Sequence, residues 1–149
     1  MHVLFVHQNF PAQFRCIAPQ LARDYGWRCT FATQNASVAP PPGVEKVLYR
    51  PGTRPTPAEH MCVRRFRGTV GHALGVYRAL KARPDVQPDL IVAHSGFGSS
   101  LFLPYLYDAP IINFFEYFFR PVGQELGYRP EVPVTESHLL GWRVLNSSH

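Results

Sequence analysis

Apolar residues open the chain. Val3, Leu4, Phe5 and Val6 follow one another without a polar break, the pattern of a central parallel strand covered on both faces. A turn region at residues 7–13, with Pro11 in its middle, separates this run from a helical spacing. Phe14, Ile17, Ala18, Leu21 and Ala22 fall on one face of that helix, and Gly26 is placed to end it. Residues 27–33 predict a second strand and residues 44–49 a short, alternating third. Between them Ala39-Pro40-Pro41-Pro42-Gly43 predicts a rigid loop.

Residues 51–57 hold three prolines and a glycine and predict irregular connection. A long helix is predicted over residues 63–82, with Phe66, Val70, Ala73, Leu74, Tyr77 and Leu80 facing the core. Gly68, Gly71 and Gly75 lie on it too. Each costs about 1 kcal/mol relative to alanine in a helix, so a neighbour packed closely against them is expected. Leu90-Ile91-Val92-Ala93 predicts a fourth strand, followed by a short helix through about Tyr107. Residues 110–118 predict a fifth strand and residues 136–145 a last helix. Apolar strands alternating with helices predict an α/β fold, a Rossmann-like parallel sheet with helices on both faces. Neither an internal repeat nor a linker divides it, so residues 1–149 read as one domain.

Composition narrows the class. With 46% hydrophobic residues and a net charge of +5 over 149 residues, the chain can bury a core and is not disordered. No apolar run approaches the roughly 18 residues of a membrane span. The N-terminus lacks the basic region of a secretory signal. Cys16, Cys29 and Cys62 are odd in number and form no C-x-x-C pair, which predicts buried thiols in a reducing, cytoplasmic compartment. Arginine supplies 13 of the 15 cationic residues, spread along the chain and clustered only at Arg64, Arg65 and Arg67. That spacing suits a solvated face or a phosphate contact better than the aromatic-interleaved stripe of a nucleic-acid binder, so no nucleic-acid partner is expected.

In open parallel sheets ligands bind beyond the carboxyl ends of the strands, so the chemistry is sought in the loops there. The first holds His7, Gln8, Asn9, Phe10, Pro11, Ala12 and Gln13, and is expected to lead straight into a helix N-terminus, where main-chain N–H groups suit a phosphate. A plain turn is the other reading. The loop carries neither G-x-G-x-x-G nor a P-loop. His94 is expected just past the fourth strand, with Gly96, Phe97 and Gly98 behind it. Glycines there let a backbone approach a ligand, and a histidine there exchanges protons near neutral pH; a structural histidine is the alternative. In Phe114-Phe115-Glu116-Tyr117-Phe118-Phe119-Arg120, alternation puts Glu116 among aromatics, where a carboxylate needs a partner such as Arg120 or a polar ligand. The aromatics read first as core, with sugar stacking by Tyr117 or Phe119 second. No carboxylate pair spaced for hydrolysis and no G-x-S-x-G elbow occurs. The two N-x-S triplets, at Asn35 and Asn146, read as chance.

Taken together, the opening His2-Val3-Leu4-Phe5-Val6-His7-Gln8-Asn9-Phe10-Pro11-Ala12-Gln13-Phe14-Arg15 resembles the start of bacterial family 4 glycosyltransferases, in the subgroup with an HQNFPGQF motif. Val47-Leu48-Tyr49-Arg50-Pro51, the segment from Pro88 to Gly98 and Phe115-Glu116-Tyr117-Phe118-Phe119-Arg120 carry the same likeness, which spans about residues 1–135. The resemblance implies a retaining transfer from a nucleotide-sugar between two Rossmann-like halves facing a cleft, the GT-B arrangement, with no metal or other cofactor. This chain is similar to the N-terminal, acceptor-side half. The donor-binding C-terminal half, with its Glu-x7-Glu motif, is not found in the sequence, so transfer by the isolated domain is not expected.

By the same resemblance Asn9, Phe10, Ala12 and Gln13 would face the diphosphate, His94 the reacting sugar, and Glu116 and Arg120 the acceptor, with Gly96, Phe97, Gly98 and Tyr117 lining the site. The implied partners are a nucleotide-sugar donor, a sugar or glycolipid-type acceptor reached by peripheral membrane contact, and the missing half in cis or trans. The chain departs from the pattern at Ala12, where the family has glycine, at Ser95 for proline, at Ser99 for an acidic residue and at Arg67, where an acidic residue often follows the aromatic. Two rivals remain: a non-catalytic sugar- or nucleotide-binding module, and one subunit of a split glycosyltransferase.

Overall fold

The computed structural model describes residues 1–94, 100–115, 131 and 133–146. Five parallel strands form one sheet: β1 (His2–Val6), β2 (Arg28–Thr33), β3 (Val44–Leu48), β4 (Leu90–His94) and β5 (Ile111–Phe114). Their spatial order is β3-β2-β1-β4-β5. The chain thus builds outward from β1 in one direction, then crosses back to add β4 and β5 on the other side. The sheet reverses its winding between β1 and β4, the switch point at which parallel α/β sheets open a crevice.

Alternation along the strands sorts side chains to two cores. Val3 and Phe5 of β1 join Cys29 and Phe31 of β2, with Phe10, Phe14 and Ala18 packed over them. Leu4, Val6, Ala32, Val47, Ile91 and Ala93 fill the other face. Helix α1 (Ile17–Tyr25) covers the first core, and helix α2 (Met61–Lys81) covers the second through Val76 and Leu80. Helix α3 (Glu136–Asn146) packs on α2, where Arg65 lies over the Trp142 ring at 4.4 Å. Among the described residues no helix is long and apolar enough to cross a membrane.

Local chemistry explains the element ends. Gly26 stops α1 with φ 66°, its N–H donating back to Ala22 O at 3.1 Å, a left-handed cap that suits glycine. Ile17 is exposed rather than core-facing, because α1 starts at that residue and Phe14 sits in a separate 3-10 turn (Ala12–Phe14). The predicted face of α2 is also rotated. Its buried stripe is Thr69, Ala73, Val76 and Leu80 together with Gly71 and Gly75, while Phe66 is exposed.

The two buried glycines lie on another side of the helix, against the segment at residues 49–53. The Gly52 N–H donates to Gly71 O at 2.7 Å. A Cβ on Gly71 would meet Thr53 O at 2.3 Å and one on Gly75 would meet Arg50 O at 2.2 Å, whereas Gly68 has open space. The expected close neighbour exists for two of the three glycines. Among the described residues after β4, the predicted short helix is represented by a 3-10 turn (Leu103–Tyr105). Strand β5 ends at Phe114, and Glu116 lies outside the described residues.

Two of the arginines are engaged at the edge opposite the switch-point crevice. Arg28 and Arg83 form a network with Glu45 and Asp85 near the amino ends of the strands. Hydrogen bonding from Arg83 holds both carboxyls below their usual range. These ion pairs are exposed enough to add little stability. Arg67 pairs with Glu59 at 2.7 Å beside the start of α2.

Candidate functional site

The site is built where β1 and β4 end. Register pairs Val6 with Ala93 and His94 with Phe114, so His7, His94 and Phe114 form one row across the carboxyl edge on the α1 face. Thr33 continues it on β2, since Val6 pairs with Ala32. The rows beneath are apolar, Phe5 with Phe31 and Val92; the last row turns polar at the switch point itself. His7 and His94 are each only 3% exposed, and their ring centroids lie 4.8 Å apart, edge to face at 80°. His94 is the final residue of β4 rather than a loop residue, and its ring leans on Phe114 at 5.8 Å.

Beside this row lies an open depression of about 570 Å³, lined by His7, Asn9, Ala12, Gln13, Arg15 and Cys16. The loop does not run straight into a helix N-terminus as expected. The 3-10 turn at Ala12–Phe14 intervenes and α1 begins only at Ile17. Asn9, Ala12 and Gln13 do reach the wall, joined by Arg15. Phe10 does not: its ring is buried 4.8 Å from Phe31, with Lys46 Nζ 4.9 Å above it. Gly96, Phe97, Gly98, Glu116, Tyr117 and Arg120 lie outside the described residues.

His7 was legible in outline but not singled out. It is the second histidine that follows an apolar strand, and only the strand order reveals that the two strands are neighbours. Of the three cysteines, Cys29 is buried, which pushes its thiol up, while Cys16 is exposed at the depression and Cys62 is partly covered. The expectation of buried thiols therefore holds for Cys29 alone. Among the described residues no group of three or more His, Cys, Asp or Glu is gathered as if around a metal ion.

Ala12 carries the strain of the loop. Its φ is +47°, the left-handed region that costs a residue with a Cβ roughly 1–2 kcal/mol. Glycine adopts it freely but loses more entropy on folding. Ala12→Gly is therefore expected to raise stability by about 0.5–1 kcal/mol, read from urea melts of the two proteins.

A second polar cluster closes the α2 face at the ends of β2 and β3. The Gln34 amide donates to His72 Nδ1 at 2.8 Å and to the Tyr49 hydroxyl at 3.4 Å, and that hydroxyl lies 3.1 Å from the same nitrogen. Burial pushes the Tyr49 phenol from 10.0 up to about 12 and lowers His72 below 6.5. Burial, helped by the Arg28 charge, lowers His2 as well. Between pH 10 and 12 the folded state keeps a proton on Tyr49 that the unfolded chain releases, so stability falls as pH rises through that window. Below pH 6.5 the unfolded chain takes up protons on His2 and His72 first, so stability also falls toward acid. Urea melts across pH should show both flanks, and Tyr49→Phe should remove its share of the alkaline one.

Comparison with known proteins gives the family. No curated protein matches the chain. The family model described as the glycosyl transferase family 4 group matches residues 25–149, the stretch from the end of α1 through α3 that holds His94. The chain belongs to the glycosyl transferase family 4 group.

Proposed function

We propose that this chain supplies the acceptor side of a retaining glycosyl transfer from a nucleotide-sugar. The observation that carries the reading is the position of His94, a buried histidine at the carboxyl end of β4 beside the switch point. Ligands of parallel α/β sheets lie in that crevice. An imidazole there can hydrogen-bond a sugar hydroxyl, or hold a proton while the bond to the leaving group breaks. The leaving group is a diphosphate whose charge grows in the transition state. Main-chain N–H groups and cations fixed nearby lower that barrier, and Arg15 with the loop from Asn9 to Gln13 forms the wall closest to hand.

Glu116 and Arg120, with Tyr117 and the segment Gly96-Phe97-Gly98, complete the acceptor side in this reading. The nucleotide is held by a second, donor-binding half, in cis or in trans. Fixed dipoles and arginine replace a resident metal in the stabilising role. The acceptor is a sugar or a glycolipid-type molecule, the latter reached from the cytoplasm by peripheral contact with a membrane.

A transfer assay tests this. The purified chain is incubated with nucleotide-sugars and sugar acceptors, alone and with a separately expressed donor-binding half of a family 4 enzyme. Transfer that needs the second half supports the reading. Turnover by the chain alone would reject the division of labour, and sugar binding without turnover in either setting would favour a binding module.

A further inference from the structure

The register that brings His94 to the switch point sets a second imidazole against it. His7 follows β1 directly and is as buried as His94, with the two rings edge to face. The His7 ring is itself held. The Asn9 N–H donates to its Nδ1 at 2.9 Å, with the Asn9 carbonyl oxygen 3.1 Å from the same nitrogen, and the Phe14 ring meets it edge-on at 6.4 Å. His94 therefore stands between a fixed ring just past β1 and Phe114 on β5. An imidazole held from both sides cannot flip freely, and a flip would put ring carbons where its two nitrogens stand. Apolar residues fill the equivalent positions one row below, where burial costs nothing in lost hydration; two imidazoles in this row do cost hydration.

We propose that His7 is a positioning residue for His94: tied through Nδ1 to the Asn9 main chain, it fixes which nitrogen His94 presents at the switch point. The proposal rests on the functional reading of His94, but its first test does not. With histidine side chains labelled with ¹⁵N, the His94 signals are assigned by their loss in His94→Gln. His7→Asn keeps an oxygen to accept the Asn9 N–H while removing the ring that faces His94. The expected result is a folded protein in which the two His94 nitrogen signals move toward the average of the two tautomers, while those of His2 and His138 stay in place. Unmoved His94 signals in folded His7→Asn overturn the proposal. Should that variant not fold, the unsubstituted chain decides: one dominant His94 tautomer with ring-proton contacts to His7 supports it, and a mixture of tautomers overturns it.

Kinetics adds a second readout. In the two-part transfer assay, His7→Asn is expected to lower kcat by about tenfold with KM little changed. In a His94→Gln background it should add no further loss, because it acts through that ring. Additive losses overturn positioning. If no transfer is found under any condition, the functional reading fails while the ring signals still decide the role of His7.

Discussion

Gly75→Ala is expected to destabilise the fold by about 3 kcal/mol, at the upper end of the cost of overfilling a packed site. The added Cβ would sit 2.2 Å from Arg50 O and 2.9 Å from Arg50 C, with Tyr49 Cδ2 at 3.0 Å. Two of those atoms are backbone, so relief requires moving the whole segment that follows β3. That segment is pinned by the hydrogen bond from Gly52 to Gly71 O, and the Tyr49 side chain within it belongs to the core. The gain in helix propensity, about 1 kcal/mol, cannot offset such an overlap.

Gly68→Ala is the internal control. It lies on the same helix with nothing within 4 Å of its added Cβ, so propensity alone acts and stability should rise by about 0.5–1 kcal/mol. Urea melts of the two variants should therefore shift in opposite directions. Equal shifts would mean that the segment at residues 49–53 does not pack against α2 as described.

These glycines also mark where the sequence was readable and where it was not. The strands were legible because uninterrupted apolar runs such as Val3 to Val6 have few other homes, and because such runs end in proline or a polar loop. The end of β5 at Phe114 was not, because the aromatic run past it gives no such signal. Gly26 as a helix stop was legible for the same reason, since its left-handed φ is the commonest way to end a helix. The face of α2 was not. Spacing favours the large residues Phe66 and Tyr77 as core, but the helix buries Thr69, Ala73, Val76 and Leu80 on one side and is approached at Gly71 and Gly75 on another by the segment at residues 49–53. Periodicity reports hydrophobicity, not the distance between elements.

The site divides in the same way. His94 could be placed at a strand end from local pattern alone. The pairing with His7 needed the strand order β3-β2-β1-β4-β5, because residues 7 and 94 are brought together by a crossover that no local spacing encodes. Phe10 misled for the opposite reason. By the resemblance it would face the diphosphate, yet the loop folds back and lays its ring on Phe31. Ala12 shows a third case: the backbone conformation explains why a glycine suits that position, while the side chain gives no hint of strain.

The largest functional effect is expected at His94. In the two-part transfer assay, His94→Gln should lower turnover by roughly 10²–10³-fold, within the range for a positioned proton-transfer group. Glutamine is chosen over alanine because the ring is buried against His7 and Phe114, and a cavity there would confound activity with stability. If the ring serves the transition state, kcat falls while KM holds; if it serves ground-state binding, KM rises instead.

His2→Gln is the matching control. His2 is also buried and hydrogen-bonded, to Thr30 Oγ1 at 2.8 Å and the Gln87 carbonyl at 3.0 Å, but it stands at the amino end of β1, a strand's length from the switch point. Its loss should lower stability and leave turnover per folded molecule unchanged. Near-normal transfer by folded His94→Gln would reject the catalytic role. A loss shared equally by both variants would trace the effect to the sheet as a whole, because a role in the chemistry depends on which end of β1 and β4 the imidazole occupies.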